Sequence, residues 1–125
     1  MKLENIENYK IINAEITSVD LDMSDHGALT LRMALKGSGW GAVYGGYVLA
    51  HGYLDADDDE FDGTAKGIES IARIMDVVGV SKFNDMKGKY VRVVDPGLGK
   101  PFHIIGNIIK NKWFNIDEFF KEENV

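Results

Sequence analysis

Positive charge in this sequence is concentrated between Lys82 and Lys112. Seven Lys and Arg residues stand there against two Asp residues, a formal charge of +5, whereas the whole 125-residue chain carries −6. A long nucleic acid would meet repulsion on both sides of such a strip, but a small anion would not. The charge distribution therefore favours a small anionic ligand and argues against long nucleic acid or an anionic membrane as a partner.

Side chains within this basic strip, residues 82–112, are of the types that bind nucleotides. Arg92 stands between two valines, so its guanidinium points away from the core if the valines face it, and it can then hold a phosphate through two parallel hydrogen bonds. An aromatic ring such as Phe83 can stack on a base, a contact that contributes about 1–3 kcal/mol in single-strand binders. The candidate ligand-binding residues are Phe83, Asn84, Arg92, Asn107, Lys110 and Lys112.

A structural interpretation of the same residues stays open. Phe83 and Trp113 can belong to the hydrophobic core, and the lysines can serve only to keep an edge strand solvated. The glycine- and aromatic-rich stretch 39–47 also has two interpretations. Its glycines can let a ligand approach the backbone, or they can form bulges in a strand and pack against aromatic rings. The stretch contains neither a dinucleotide-binding fingerprint nor a P-loop.

The remaining polar residues predict no catalytic or metal site. Residues 55–62 are rich in Asp, but Glu60 and Lys66 stand where a calcium loop beginning at Asp55 needs a glycine and a bidentate glutamate, so we expect a solvated loop. No serine lies in a nucleophile-elbow context. The absence of cysteine excludes disulfides, thiolate zinc sites and cysteine nucleophiles. Three histidines are present without a metal-binding spacing: His26, His51 and His103.

Composition bounds the architecture. With 45% hydrophobic and 27% charged residues, the chain is expected to form one globular domain spanning residues 1–125. The first residues lack the apolar core of a signal peptide, and no apolar run approaches the roughly 20 residues that span a bilayer. We therefore expect a cytoplasmic protein.

The hydrophobic pattern predicts the elements that position these residues. Period-two alternation and turn signals predict strands over residues 9–21, 29–35, 42–54, 90–94 and 102–109. In the first strand we expect Ile16 and Ser18 to share one face and Val19 to lie on the other. A helix is predicted from Thr64 to Val78, capped by Asp62 or Thr64 and ended by Gly79. Its expected apolar stripe comprises Ile68, Ile71, Ala72, Met75 and Val78.

A second helix is predicted to begin at Asn115, with Glu118 in the position of a capping box. The order of elements predicts an α+β fold, in which one main helix packs on an antiparallel β-sheet and a short helix ends the chain. One face or one edge of such a sheet stays available for self-association.

Five segments together resemble a known family. They are residues 25–30 (DHGALT), 40–47 (WGAVYGGY), 74–80 (IMDVVGV), 88–93 (GKYVRV) and 105–114 (IGNIIKNKWF). In this order they resemble the first-described family of phage proteins that counter the Thoeris defence system. The resemblance covers about residues 14–115.

The resemblance implies a sequestering protein without catalysis or cofactor. Members of that family bind glycocyclic ADP-ribose, the signal made by a TIR-domain enzyme, and withhold it unchanged. They are homo-oligomers built from dimers with ligand held between subunits, and some also bind cyclic oligonucleotides at separate sites. Carried onto this sequence, the resemblance makes Phe83 the base-stacking residue. It assigns polar and phosphate contacts to Arg92, Asn107, Lys110 and Lys112.

Two other function classes remain as alternatives. A phosphodiesterase that opens a cyclic nucleotide would need paired histidines or a metal cluster, and the sequence offers neither. A protein-binding inhibitor could use a sheet edge, or the acidic residues 55–62 as a mimic of phosphates.

Overall fold

A six-stranded antiparallel sheet forms the centre of the fold. The computed structural model describes residues 1–25, 27–52 and 61–121. In chain order its elements are β1 (Ile11–Asp25), β2 (Ala28–Gly37), β3 (Trp40–Val48), β4 (Ala50–His51), β5 (Asp62–Gly63), α1 (Ala65–Val78), a 3-10 helix (Phe83–Met86), β6 (Tyr90–Val94), β7 (Ile104–Asn107), β8 (Trp113–Asn115) and α2 (Ile116–Lys121). The main sheet has the strand order β3-β2-β1-β6-β7-β8, and β4 pairs separately with β5. The predicted α+β fold with one main and one short C-terminal helix is confirmed.

The two faces of the sheet differ as the alternating pattern predicts. In β6, Val91 and Val93 are fully buried while Tyr90 is 56% exposed. Arg92 therefore points away from the core, as predicted. The buried face continues through Ala14 of β1 and Ile105 of β7, and α1 packs against it.

The sheet curls until its two edge strands meet on the core side. Tyr44 of β3, at one edge, donates its hydroxyl to the carbonyl of Phe114 in β8, at the other edge, over 3.1 Å. Right-handed strand twist produces coiling of this kind. Helix α2 follows β8 directly, and its Phe120 stacks on Tyr47 of β3 with ring centroids 5.0 Å apart. Helix α2 therefore helps to hold the two edges together.

Helix α1 begins and ends where the sequence predicts. The hydroxyl of Thr64 accepts from the amide of Gly67 at 2.9 Å, and Gly79 ends the helix with a φ of 92°. The predicted apolar stripe is confirmed for Ile71, Met75 and Val78, which pack in or against the core. It is wrong for Ile68, which is 71% exposed, and for Ala72, which is exposed as well. The buried positions of α1 are Gly67, Ser70, Ile74, Val77 and Val78.

Small residues select the buried face of α1. A Cβ added to Gly67 would lie 2.2 Å from the carbonyl oxygen of Leu49, so only glycine permits this approach of helix and backbone. Ser70 satisfies its buried hydroxyl by donating to the carbonyl of Gly67 at 2.7 Å. The close packing of α1 on the Leu49 backbone thus turns Gly67 and Ser70 inward and leaves Ile68 exposed.

Bulges and short strands account for the other differences. Strand β1 has a register shift between Ile16 and Ser18, after which Val19 pairs with buried Met33. The predicted opposition of Ile16 and Val19 is therefore wrong, because the extra residue exchanges the two faces. The predicted strand over residues 42–54 ends at Val48, after a bulge at Gly45 and Gly46, which have φ of 96° and 86°.

Strand β4 lies within the predicted strand over residues 42–54 but is separate from β3, whereas β5 and β8 have no counterpart among the predicted elements. Strand β7 is shorter than residues 102–109. The cap of α2 is confirmed by the hydrogen bond from the Glu118 amide to Asn115 Oδ1 at 3.0 Å. Residues 55–60 of the acidic segment and His26 lie outside the described residues. Over the ranges that the structure covers, no helix combines the length and apolar character needed to cross a bilayer.

Candidate functional site

The six candidate ligand-binding residues divide among several places. Phe83 and Asn84 line one groove, Arg92 and Lys110 meet at the loop between β7 and β8, and Lys112 contacts α1. Each of the three main cavities formed by the described residues takes lining residues from at most one of these groups. Within one protomer, the predicted site is therefore not a single pocket.

Phe83 and Asn84 belong to a groove of about 280 Å³ beside β1. The 3-10 helix presents both residues, and its Met86 is fully buried and fixes the helix on the core. The segment that follows is held at the β1 bulge by two backbone hydrogen bonds: Gly88 donates to the Ile16 carbonyl at 2.7 Å, and Ile16 donates to the Lys89 carbonyl at 2.8 Å. The groove is thus bounded by two rigidly paired segments.

The groove offers the contacts that a purine base and its phosphate require. Its lining residues are Ser18, Val19, Asp20, Phe83, Asn84 and Lys87. Phe83 is half-buried against the core and keeps part of its ring exposed. An amide and a carboxylate can pair with the polar edge of a base, and the ammonium of Lys87 can bind a phosphate. The carboxylate of Asp20 weakens phosphate binding close to it.

Arg92 is engaged within the protein. Its Nε donates to the Asn107 carbonyl at 2.7 Å, and its Nη2 donates to the Lys110 carbonyl at 2.8 Å. The guanidinium carbon lies 4.7 Å from the ring centroid of Trp113, which is 1% exposed. Arg92 therefore stabilises the loop after β7. Among the described residues its Nη1 makes no hydrogen bond, so this group can still bind an anion.

Asn107 has a structural position on the opposite face of the sheet. Its Nδ2 donates to the carbonyl of Val77 in α1 at 2.9 Å, and its Oδ1 accepts from the amides of Ile109 and Lys110 at 3.0 and 2.9 Å. Such a carboxamide is occupied by the fold. It connects the end of α1 to the same loop that Arg92 holds from the other face.

The two lysines of this loop differ in their partners. Lys110 is exposed, and only its backbone takes part in the contacts described above. Lys112 forms an ion pair with Asp76 of α1 at 3.1 Å, in which both side chains remain substantially exposed. Lys110 is therefore the more available cation for a ligand.

The residues that line a larger cavity were not among the predicted site residues. This cavity, of about 700 Å³, lies between the beginnings of β1 and β3 and the connection from β6 to β7. Trp40 was noted only as part of the glycine-rich stretch, and Phe102 only as the start of a strand. The signal that could have found them is the sequence Asp-Pro-Gly-Leu-Gly-Lys-Pro at 95–101, a long turn-rich connection between two apolar strands.

A polar cluster joins α2 to β3. Tyr47 donates its hydroxyl to Asp117 Oδ1 at 2.5 Å, and Lys121 pairs with Oδ2 at 2.8 Å. The pKa of Asp117 is lowered mainly by the hydrogen bond from Lys121 and next by that from Tyr47. The pKa of Tyr47 is raised mainly by burial and next by its hydrogen bond to Asp117. His103 Nδ1 lies 3.9 Å from the same carboxylate. The cluster fastens α2 in place.

Among the side chains that the structure describes, no group of three or more His, Asp or Glu residues is placed to share a metal ion. Comparison with protein-family models, curated proteins and solved structures finds no match for this chain.

Proposed function

We propose that this protein binds a cyclic ADP-ribose isomer, glycocyclic ADP-ribose, and withholds it unchanged in the host cytoplasm, as a phage anti-defence protein. The observation that carries the proposal is the partly exposed ring of Phe83 in a groove beside Asn84 and Lys87, within a strip of charge +5. A ring, an amide and an ammonium match adenine and phosphate. The resemblance of the five sequence segments supports the same ligand.

Sequestration fits the chemistry of the groove. Binding without turnover requires affinity and no stabilisation of a transition state. The groove can bind a ligand through stacking on Phe83, hydrogen bonds with Asn84 and the positive charge of Lys87. To outcompete an effector for a scarce signal, the protein needs a dissociation constant near nanomolar, which corresponds to a binding free energy of about −12 kcal/mol.

The proposed complex needs a second copy of the chain. A groove of about 280 Å³ can take a base but not a whole molecule of glycocyclic ADP-ribose. Lys110 does not line that groove, and we propose that the part of the ligand outside the groove contacts Lys110 of a second protomer. A twofold dimer would supply two equivalent sites of this kind. The sheet face opposite α1, where Tyr90 and Val43 are exposed, is available for that assembly.

A retention experiment tests the proposal. The protein is mixed with glycocyclic ADP-ribose, free ligand is removed by gel filtration, the protein is heat-denatured, and the released compound is identified by mass spectrometry. We expect the intact nucleotide. A linearised or hydrolysed product would indicate a phosphodiesterase, and no retained compound would refute nucleotide binding.

Two matched variants locate the site. Lys87→Ala and Lys89→Ala each remove one exposed positive charge, but only Lys87 lines the groove. We expect at least about tenfold weaker retention for Lys87→Ala and less than about twofold change for Lys89→Ala. Phe83→Leu keeps apolar volume and removes the stacking ring, so it should also weaken retention. Equal effects of the two lysine variants would place the ligand elsewhere.

A further inference from the structure

The 700 Å³ cavity is formed by a connection that the topology does not require. Strands β6 and β7 are antiparallel neighbours, which a two-residue turn can join. Nine residues, Asp95 to His103, join them instead, and Phe102 reaches Trp40 at the far edge of the sheet. Hairpin loops usually have about two to five residues, so this connection is unusually long. The cavity volume lies in the range of ligand pockets, about 300–1,000 Å³.

The beginning of the connection is fixed to β1. The Asp95 amide donates to the Lys10 carbonyl at 2.8 Å, and its carboxylate accepts from the Gly97 amide at 2.9 Å and pairs with the Lys10 ammonium at 3.2 Å. The pKa of the Asp95 carboxyl is lowered mainly by the hydrogen bond from the Gly97 amide and next by that from Lys10, so the group stays ionised. The charge of Lys10 is thereby balanced within the cavity wall.

The aromatic part of the wall is equally well placed. Trp40 and Phe102 stack with ring centroids 5.3 Å apart and an interplanar angle of 12°. Trp40 lies flat on the backbone of Gly37, where an added Cβ would come 2.0 Å from the indole Nε1. Both rings line the cavity and both remain only half-buried, so each keeps ring surface exposed. The exposed ring surface of this stacked pair is therefore preorganised.

One positive charge in the cavity has no ion-pair partner among the described residues. Lys100 lines the cavity and forms no ion pair within the part of the chain that the structure describes. It follows Gly99, whose φ is 77°, and the fully exposed Leu98 lines the same cavity. The cavity thus combines a flat aromatic surface, an exposed apolar side chain and one uncompensated ammonium.

We propose that this cavity is a second binding site, for a planar heteroaromatic ring that carries one phosphate, as in a nucleoside monophosphate. The ligand ring stacks on the exposed ring surface of the Trp40–Phe102 pair, and the phosphate pairs with Lys100. The site is separate from the Phe83 groove, which shares no lining residue with it. It is complete within one protomer.

AMP is a suitable probe, with adenosine and ribose 5-phosphate as partial ligands. Binding is followed by NMR through the indole N–H signals of the two tryptophans, assigned with Trp40→Phe. Trp113 donates its indole N–H to Asn111 Oδ1 at 2.6 Å away from the cavity, so its signal serves as an internal reference. We expect AMP to shift the Trp40 signal and not the Trp113 signal, with a dissociation constant on the order of 10–100 μM. Adenosine should bind more weakly, and ribose 5-phosphate should produce no shift.

Variants separate this site from a general basic surface. Lys100→Gln should weaken AMP binding about tenfold and leave adenosine binding unchanged, whereas Lys89→Gln, with the same change of charge outside the cavity, should change neither. Phe102→Leu should weaken both ligands. No shift of the Trp40 signal at millimolar AMP would overturn the proposal, as would equal losses for Lys100→Gln and Lys89→Gln. Binding that is lost in Phe83→Leu but kept in Lys100→Gln would assign AMP to the groove and also overturn it.

Discussion

Replacement of Arg92 distinguishes a structural role from a ligand-binding role. Its two hydrogen bonds, to the carbonyls of Asn107 and Lys110, are made by a charged donor, for which about 1.5 kcal/mol each is the lower end of the usual range. The lower end applies because water can replace the guanidinium at carbonyls that are not fully buried. Contact with the Trp113 ring adds about 0.5–1 kcal/mol. Allowing for rehydration, Arg92→Ala should lower the free energy of unfolding by about 2–3 kcal/mol.

Urea denaturation followed by tryptophan fluorescence measures this loss as a shift of the midpoint at constant m. Arg92→Lys keeps the charge but cannot bond both carbonyls or stack as a plane, so about 1–2 kcal/mol should be lost. Lys110→Ala is the control, since it removes a charge of the same strip but retains the carbonyl that Arg92 binds. Its stability should change by no more than about 0.5 kcal/mol.

An Arg92→Ala variant as stable as Lys110→Ala would contradict the structural role of Arg92. In that case the two carbonyl contacts exchange freely with water, and Arg92 is available as a phosphate ligand, as its position in the sequence first indicated. Retention of nucleotide should be compared only at temperatures where each variant is folded, because a loss of 2–3 kcal/mol is a large part of the roughly 5–15 kcal/mol that stabilises a domain.

Three further predictions follow from individual contacts. Gly106→Ala would place a Cβ 2.2 Å from the Trp113 ring and should cost about 2 kcal/mol or more in thermal denaturation, whereas Gly63→Ala, with no atom within 4 Å, should be nearly neutral. Tyr44→Phe removes the bond to the Phe114 carbonyl and should cost about 1–2 kcal/mol in urea. Because burial raises the pKa of Tyr44 well above its usual 10.0, the native protein should lose stability as pH rises beyond about 10, and less so in this variant. Because the pKa of Asp117 is lowered in the native protein, its ionised carboxylate contributes stability that is present above the usual pKa of 3.8 and is lost as the pH falls through the lower native value. Asp117→Asn should therefore make the free energy of unfolding depend less on pH in acid. An unchanged pH dependence in this variant would contradict the role of the carboxylate.

Local signals in the sequence predict the elements well. The alternation around Arg92 places the valines inside, and the caps at Thr64 and Asn115 are made by residues whose side chains bond the nearest free amides. Each of these features depends on residues within a few positions of one another. That is why they can be predicted without knowledge of the tertiary structure.

Features that depend on distant parts of the chain could not be predicted in this way. The bulge after Ile16 is paired with the segment at Lys89, and the buried face of α1 is decided by the backbone of Leu49 meeting Gly67. The stacking of Trp40 on Phe102 joins residues that are far apart in the sequence through the curl of the sheet. Residue type and spacing carry little information about such contacts.

The positions of the candidate residues bear directly on assembly. Arg92 lies on the sheet face away from α1, whereas Asn107 and Lys112 contact α1 from the other face, so one small ligand cannot touch all three within a protomer. The proposed sequestration at Phe83 therefore predicts that retention depends on a dimer or a larger oligomer. Native mass spectrometry of the loaded protein measures this directly. A loaded species with the mass of one chain would show that the Phe83 groove suffices alone, and would remove the second protomer from the proposal while leaving nucleotide binding intact.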